Sequence, residues 1–160
     1  MLDLLNPVDR NVHRWHLESG TAYSFLLMSD LHWDNPHCDR GLLKAHLDRA
    51  KEDGIPVLLN GDTFCLMQGK FDPRRTKQNI RPEHNTATYL DDVISDAVDW
   101  FGPYSDILAW AGYGNHEHSS IMNVATDPRQ RFADLYNKTR GGKLQTGGYG
   151  GWIVFKFEHP

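Results

Sequence analysis

Apolar residues fall along this chain in short blocks whose spacing alternates between strand-like and helix-like periods. Residues 22–29 (AYSFLLMS) are nearly continuous in apolar character, as a strand covered on both faces would be. Residues 12–18 precede them across Ser19-Gly20, so the two segments read as strands joined by a tight hairpin. Over residues 39–53, Leu43, Leu47 and Ala50 recur at helical spacing, and Gly54 follows as a stop. A short apolar strand over 55–59 comes next, then a polar, basic, Pro-containing loop from 67 to 85. Thr86 can cap a helix on which Leu90, Val93 or Ile94, Ala97 and Phe101 share a face. Asp91, Asp92, Asp96 and Asp99 then turn mostly to water. Gly102-Pro103 ends this helix, and a strand over 107–111 follows. Asp127-Pro128 opens a further helix to about residue 138 by its cap and first-turn proline. The last strand covers 152–157.

Strand, helix, strand, helix, strand is the order of a parallel α/β unit with right-handed crossovers. No repeat or composition break divides the chain, so residues 1–160 are expected to form a single domain. In open parallel sheets ligands bind beyond the carboxyl ends of the strands. Three of those ends carry polar blocks: Ser29-Asp30-Leu31-His32, Asn60-Gly61-Asp62 and Gly114-Asn115-His116-Glu117. Any one of them is ordinary turn chemistry. All three together converge on one kind of chemistry.

Each block suggests a role. Asp30 and His32 are two apart, so in extended backbone both side chains leave one face and can grip one ion. Asp62 has two oxygens and can bridge two ions, and Gly61 lets the backbone turn sharply before it. Asn115 offers an amide oxygen to a second ion. His116 projects beside the ions, where a general acid for a leaving group should stand. Glu117 either braces His116 or starts a helix, and His118 reads as surface. Two ions roughly 3.5–4 Å apart form the usual clamp for displacement at phosphorus. Mixed nitrogen and oxygen ligands suit Mn²⁺ foremost, with Fe, Zn²⁺ or Mg²⁺ as alternatives.

Asp30-x-His32, Gly61-Asp62 and Gly114-Asn115-His116-Glu117, in that order, resemble the calcineurin-like metallophosphoesterase family over about residues 22–125. The resemblance implies an α/β sandwich, here its N-terminal β-α-β-α-β part. It also implies hydrolysis of a phosphoester by a metal-activated water in a dinuclear site. Asp30 and His32 correspond to ligands of the first metal, Asp62 to the bridge, Asn115 to a ligand of the second metal, and His116 to the catalytic histidine. The family completes both metals with a later histidine and then a G-H-x-H block. After residue 118 the only histidine here is His159, so the expectation is a domain truncated at its C-terminus. A degenerate member and substitution by unusual residues are the competing explanations. A domain acting only as a binding scaffold, and a nuclease acting on DNA or RNA, are the alternative functions.

Charge and composition narrow the partners. Among 160 residues, 39% are hydrophobic and 24% charged, which excludes disorder as the default. A net charge of -4 gives no general attraction to nucleic acid or anionic membrane. The segment GKFDPRRTKQNIRP is the exception, with Lys70, Arg74, Arg75, Lys77 and Arg81 against Asp72. It follows the Asp62 strand end, so Arg74, Arg75 and Lys77 are placed to steer a substrate phosphate, including that of a nucleotide or nucleic acid. Cys38 and Cys65 are the only cysteines, which suits a reducing cytoplasm, and Cys65 reads as core. No run approaches the roughly 20 apolar residues of a membrane span, and the N-terminus lacks a signal-like apolar core. Trp33 reads as a roof over the pocket; His13, His16, His37 and His46 read as structural or solvated.

Overall fold

Two β-sheets packed through Trp15 organise the chain, with helices covering the outer face of the larger one. The computed structural model describes residues 11–66 and 79–158, and the backbone of 3–4. The elements are β1 (Asp3–Leu4), β2 (Val12–Glu18), β3 (Leu26–Met28), α1 (Arg40–Glu52), β4 (Val57–Asn60) and α2 (Tyr89–Phe101). They continue with β5 (Leu108–Gly112), α3 (Asn115–Val124), α4 (Pro128–Arg140), β6 (Gln145–Thr146) and β7 (Trp152–Glu158). One sheet has the order β3-β4-β5-β6 and is parallel throughout. The other has the order β1-β2-β7, with β1 antiparallel and β7 parallel to β2. The mixed α/β architecture with parallel strands is the expected class.

The side chains of β4 explain why this sheet lies in the middle. Val57 and Leu59 pack into the core shared with α1, α2 and α4, while Leu58 packs on the other face with Trp15 and Ala109. Alternate residues are therefore buried on opposite sides, and the strand has no polar position until Asn60. In β5 the pairing steps from Val57↔Leu108 to Leu58↔Trp110, a bulge at Ala109. That extra residue resets the alternation, so Leu108 and Ala111 both reach the helix-side core. Trp15, fully buried, stacks on Phe25 and Phe155 with ring centroids 5.5 and 5.8 Å away.

The expected hairpin between residues 12–18 and 22–29 does not form. β2 pairs in parallel with β7 over seven positions, from Val12↔Trp152 to Glu18↔Glu158, and β3 joins the other sheet. The turn at Ser19-Gly20 carries the chain between layers, and Trp15 packs against Leu58 and Ala109 of the other sheet. β3 is also shorter than its apolar run suggests. It is an edge strand with Leu27 62% exposed, so it is not covered on both faces.

Helix boundaries follow capping chemistry. Asp39 accepts the Leu42 N–H at 2.9 Å to open α1, and Asp127 accepts the Gln130 N–H at 3.0 Å to open α4. Thr86 does not cap α2: its hydroxyl accepts the Thr88 N–H in a local turn, and the helix begins at Tyr89. α3 has few apolar residues at helical spacing, and a helix here was expected only as one of the two readings of Glu117; part of what holds its start comes from outside it. No helix among the described residues is long and apolar enough to cross a membrane.

Candidate metal centre

The ends of β3, β4 and β5 meet at one point, and two glycines make the meeting possible. Gly61 has φ +87°, and a Cβ there would lie 2.8 Å from the Gly114 amide nitrogen. A Cβ on Gly114 would in turn overlap the Asp62 carboxylate. Only backbone fits between these loops. The loop after β3 is stitched to the loop after β4 by Asp30 N–H to Gly61 O (3.1 Å), His32 N–H to Asp62 O (3.0 Å) and Trp33 N–H to Thr63 O (2.8 Å).

Glu117 ties in the third strand end. It is fully buried, and its carboxylate accepts the backbone N–H groups of Asp62 (3.0 Å), Phe64 (2.8 Å) and Gly114 (2.9 Å). Burial pushes its carboxyl above the ordinary range, with the backbone N–H groups opposing. Asp62 answers from the other side. Its Oδ1 accepts the His116 N–H at 3.0 Å, which caps α3 in place of a side chain at Gly114. Of the two readings of Glu117, it both opens a helix and braces the site, through backbone rather than through His116.

Asp30, His32 and Asp62 present ligand atoms that all lie within 4.8 Å of one another. They do not do so from extended backbone, as their spacing suggested. All three adopt left-handed backbone, with φ of 57°, 47° and 49°. β3 has ended at Met28, and the loop hydrogen bonds, not a strand, set where Asp30 and His32 point. Nδ1 of His32 is buried without a hydrogen-bond partner, and the trio offers one imidazole and two carboxylates. This donor set fits a hard or borderline divalent ion. Asn115, exposed, is the first residue of α3.

His116 stands beside the trio, its ring edge-on to His32 at 4.6 Å between centroids. Its Nδ1 lies 2.8 Å from the Cys65 carbonyl. A carbonyl only accepts, so Nδ1 carries a proton in this bond and Nε2 is the ring nitrogen left for other partners. Cys65 is held in turn by Asp34, whose carboxylate accepts the Cys65 and Leu66 N–H groups at 2.6 and 2.9 Å and the Tyr89 hydroxyl. Asp34 is 1% exposed and was not singled out from the sequence. Its role depends on a contact 31 residues away, which no local pattern carries.

A cavity of about 470 Å³ opens over Asp30, His32 and His116, with Met28, Leu31 and Leu42 as apolar wall. His37 and His46, read from the sequence as structural or solvated, both line it. Neither has a sequence signal of its own; α1 simply presents His46 to the same opening. Trp33 is fully buried in the helix-side core, its Nε1 donating to Asp96 at 3.0 Å and the Arg40 guanidinium 3.5 Å over its ring. It is packing in that core and not the expected roof, since it does not line the cavity. His13 is buried against Gln145, and His118 is exposed against Tyr113 and Tyr149. Arg81 spends its donors on the carbonyls of Trp33 and Cys38, so it is structural. Lys70, Arg74, Arg75, Lys77 and His159 lie outside the described residues. Comparisons with protein-family models, with curated proteins and with solved structures return no match.

Proposed function

We propose that this chain is a metal-dependent phosphoester hydrolase domain of the calcineurin-like metallophosphoesterase type. The observation that carries the reading is the convergence of Asp30, His32 and Asp62 within 4.8 Å, with the His116 imidazole against His32. Asp30, His32 and Asp62 would hold a first divalent ion, and Asp62 with Asn115 a second, Mn²⁺ being favoured. Bound there, such ions would neutralise phosphate charge and acidify a water.

The chain's own groups divide the remaining work. Asp62 uses Oδ1 to cap α3, which fixes the carboxylate beside Asp30 and His32. His116, anchored through Nδ1, gives a proton from protonated Nε2 to the departing alkoxide. The apolar wall of Met28, Leu31 and Leu42 favours an ester whose alcohol carries apolar surface.

The test is hydrolysis of two phosphodiesters by Mn²⁺-loaded protein, one with a nitrophenol and one with an alkyl leaving group. Asp62→Asn keeps an oxygen to cap α3 and should abolish turnover of both. His116→Gln should slow the alkyl ester by about 10²–10⁴-fold and spare the nitrophenyl ester, which leaves without a proton. Turnover that survives Asp62→Asn sinks the proposal.

A further inference from the structure

Cys65 gives the cavity a donor that a hard-metal site does not need. His32, Cys65 and His116 each present a ligand atom, and these three atoms also lie within 4.8 Å of one another. We propose that they form a second metal site, for a soft or borderline ion of the Zn²⁺ class, which shares His32 with the carboxylate trio and competes with it.

The three positions are held before any ion arrives. Cys65 is buried, with its N–H on Asp34, and the Asn35 amide reaches its sulfur at 3.7 Å. His116 is oriented by its Nδ1–H on the Cys65 carbonyl, so the Nε2 lone pair is the one available to a metal. His32 contributes a ring whose Nδ1 is buried and has no hydrogen-bond partner, so an ion is one group that could satisfy it.

Ligand chemistry then separates the two sites. One thiolate with two imidazoles suits Zn²⁺, Co²⁺ or Cd²⁺, whereas two carboxylates with one imidazole suit Mn²⁺. Three protein ligands leave a fourth, open position, as a tetrahedral ion requires. Binding displaces the Cys65 thiol proton to solvent and leaves the sulfur as thiolate. It also occupies the His116 lone pair. A Zn²⁺-class ion would thus remove both a ligand and the acid from the proposed hydrolytic arrangement. The site itself needs only the three side chains and does not rest on the phosphoesterase reading.

Co²⁺ binding to the purified chain tests it. A thiolate-to-cobalt charge-transfer band in the near ultraviolet is expected in wild type and in Cys38→Ser, and should be lost in Cys65→Ser. Zn²⁺ affinity should weaken about 100-fold in Cys65→Ser, with Mn²⁺ affinity unchanged. Cys38→Ser leaves Cys65 as the only thiol and keeps the site intact, so it serves if Cys65→Ser does not fold. Zinc-edge X-ray absorption of that protein should find a sulfur neighbour at about 2.3 Å. A shell of nitrogen and oxygen alone, or a cobalt band that disappears with Cys38 instead, overturns the proposal.

Discussion

Asp30, His32 and Asp62 share a left-handed backbone, at φ values of 57°, 47° and 49°. For a residue with a Cβ this conformation costs about 1–2 kcal/mol. Strain of this kind persists where the surroundings over-determine it, here through the loop hydrogen bonds and Glu117. Three strained residues whose ligand atoms converge within 4.8 Å fit ligands better than turn formers. Asp30 is exposed and pairs with His32 only loosely, at 3.9 Å, so its side chain contributes little to folding. Asp30→Gly should therefore leave the metal-free urea midpoint unchanged or raised, while abolishing the rise in melting temperature that Mn²⁺ produces. A lower metal-free midpoint would make Asp30 a turn residue instead. The residue types of this site were legible in the sequence, because each strand end packs its polar groups into four adjacent positions or fewer. Glu117 was legible as a helix opener, through the Gly114 N–H three residues back, but its grip on the Asp62 loop and the role of Asp34 were not, since these act on backbone N–H groups of a distant segment.

Elements add a second layer of control, mostly at their ends. α3 closes at Ala125 in left-handed backbone, φ 52°, with its N–H on the Ile121 carbonyl. Ala125→Gly should stabilise the protein by about 1 kcal/mol in urea denaturation, and a loss of stability would contradict this capping geometry. Between α1 and the turn before β5, the buried Tyr104 hydroxyl donates to Asp48 at 2.8 Å. Burial, aided by Asp48, pushes Tyr104 from 10.0 up to about 12. The folded value is the higher one, so the stability it contributes is complete below pH 10 and lost as pH rises through about 12. The urea midpoint of wild type should fall relative to Tyr104→Phe across that window; parallel curves would contradict the shift. The cap at Asp127 was read directly, and Asp39 follows the same rule, an Asp accepting an N–H three residues on. The start of α3 was legible only through Glu117, because its other cap comes from Asp62, far away in sequence. The Ser19-Gly20 hairpin misled for the converse reason: turn chemistry was present, but β7 offered β2 seven paired positions.

At the scale of the molecule, layers decide where chemistry can stand. The central strand β4 is buried between the helices and β2, so it carries no polar group until its carboxyl end. The polar blocks then emerge together, because parallel neighbours end on the same side. That much follows from apolar runs and crossover helices, and the α/β class was legible from them. The second sheet was not, since it joins β2 to β7 from nearly opposite ends of the described chain.

The central claim is that this shared edge binds a divalent ion and directs water onto phosphorus. Turnover of a phosphodiester by Mn²⁺-reconstituted protein in heavy-oxygen water tests it most directly, with Asp62→Asn as companion. The account predicts one heavy oxygen in the phosphorus-containing product from wild type and no product above background from the variant. Equal product from both proteins, or product without the label, would contradict it.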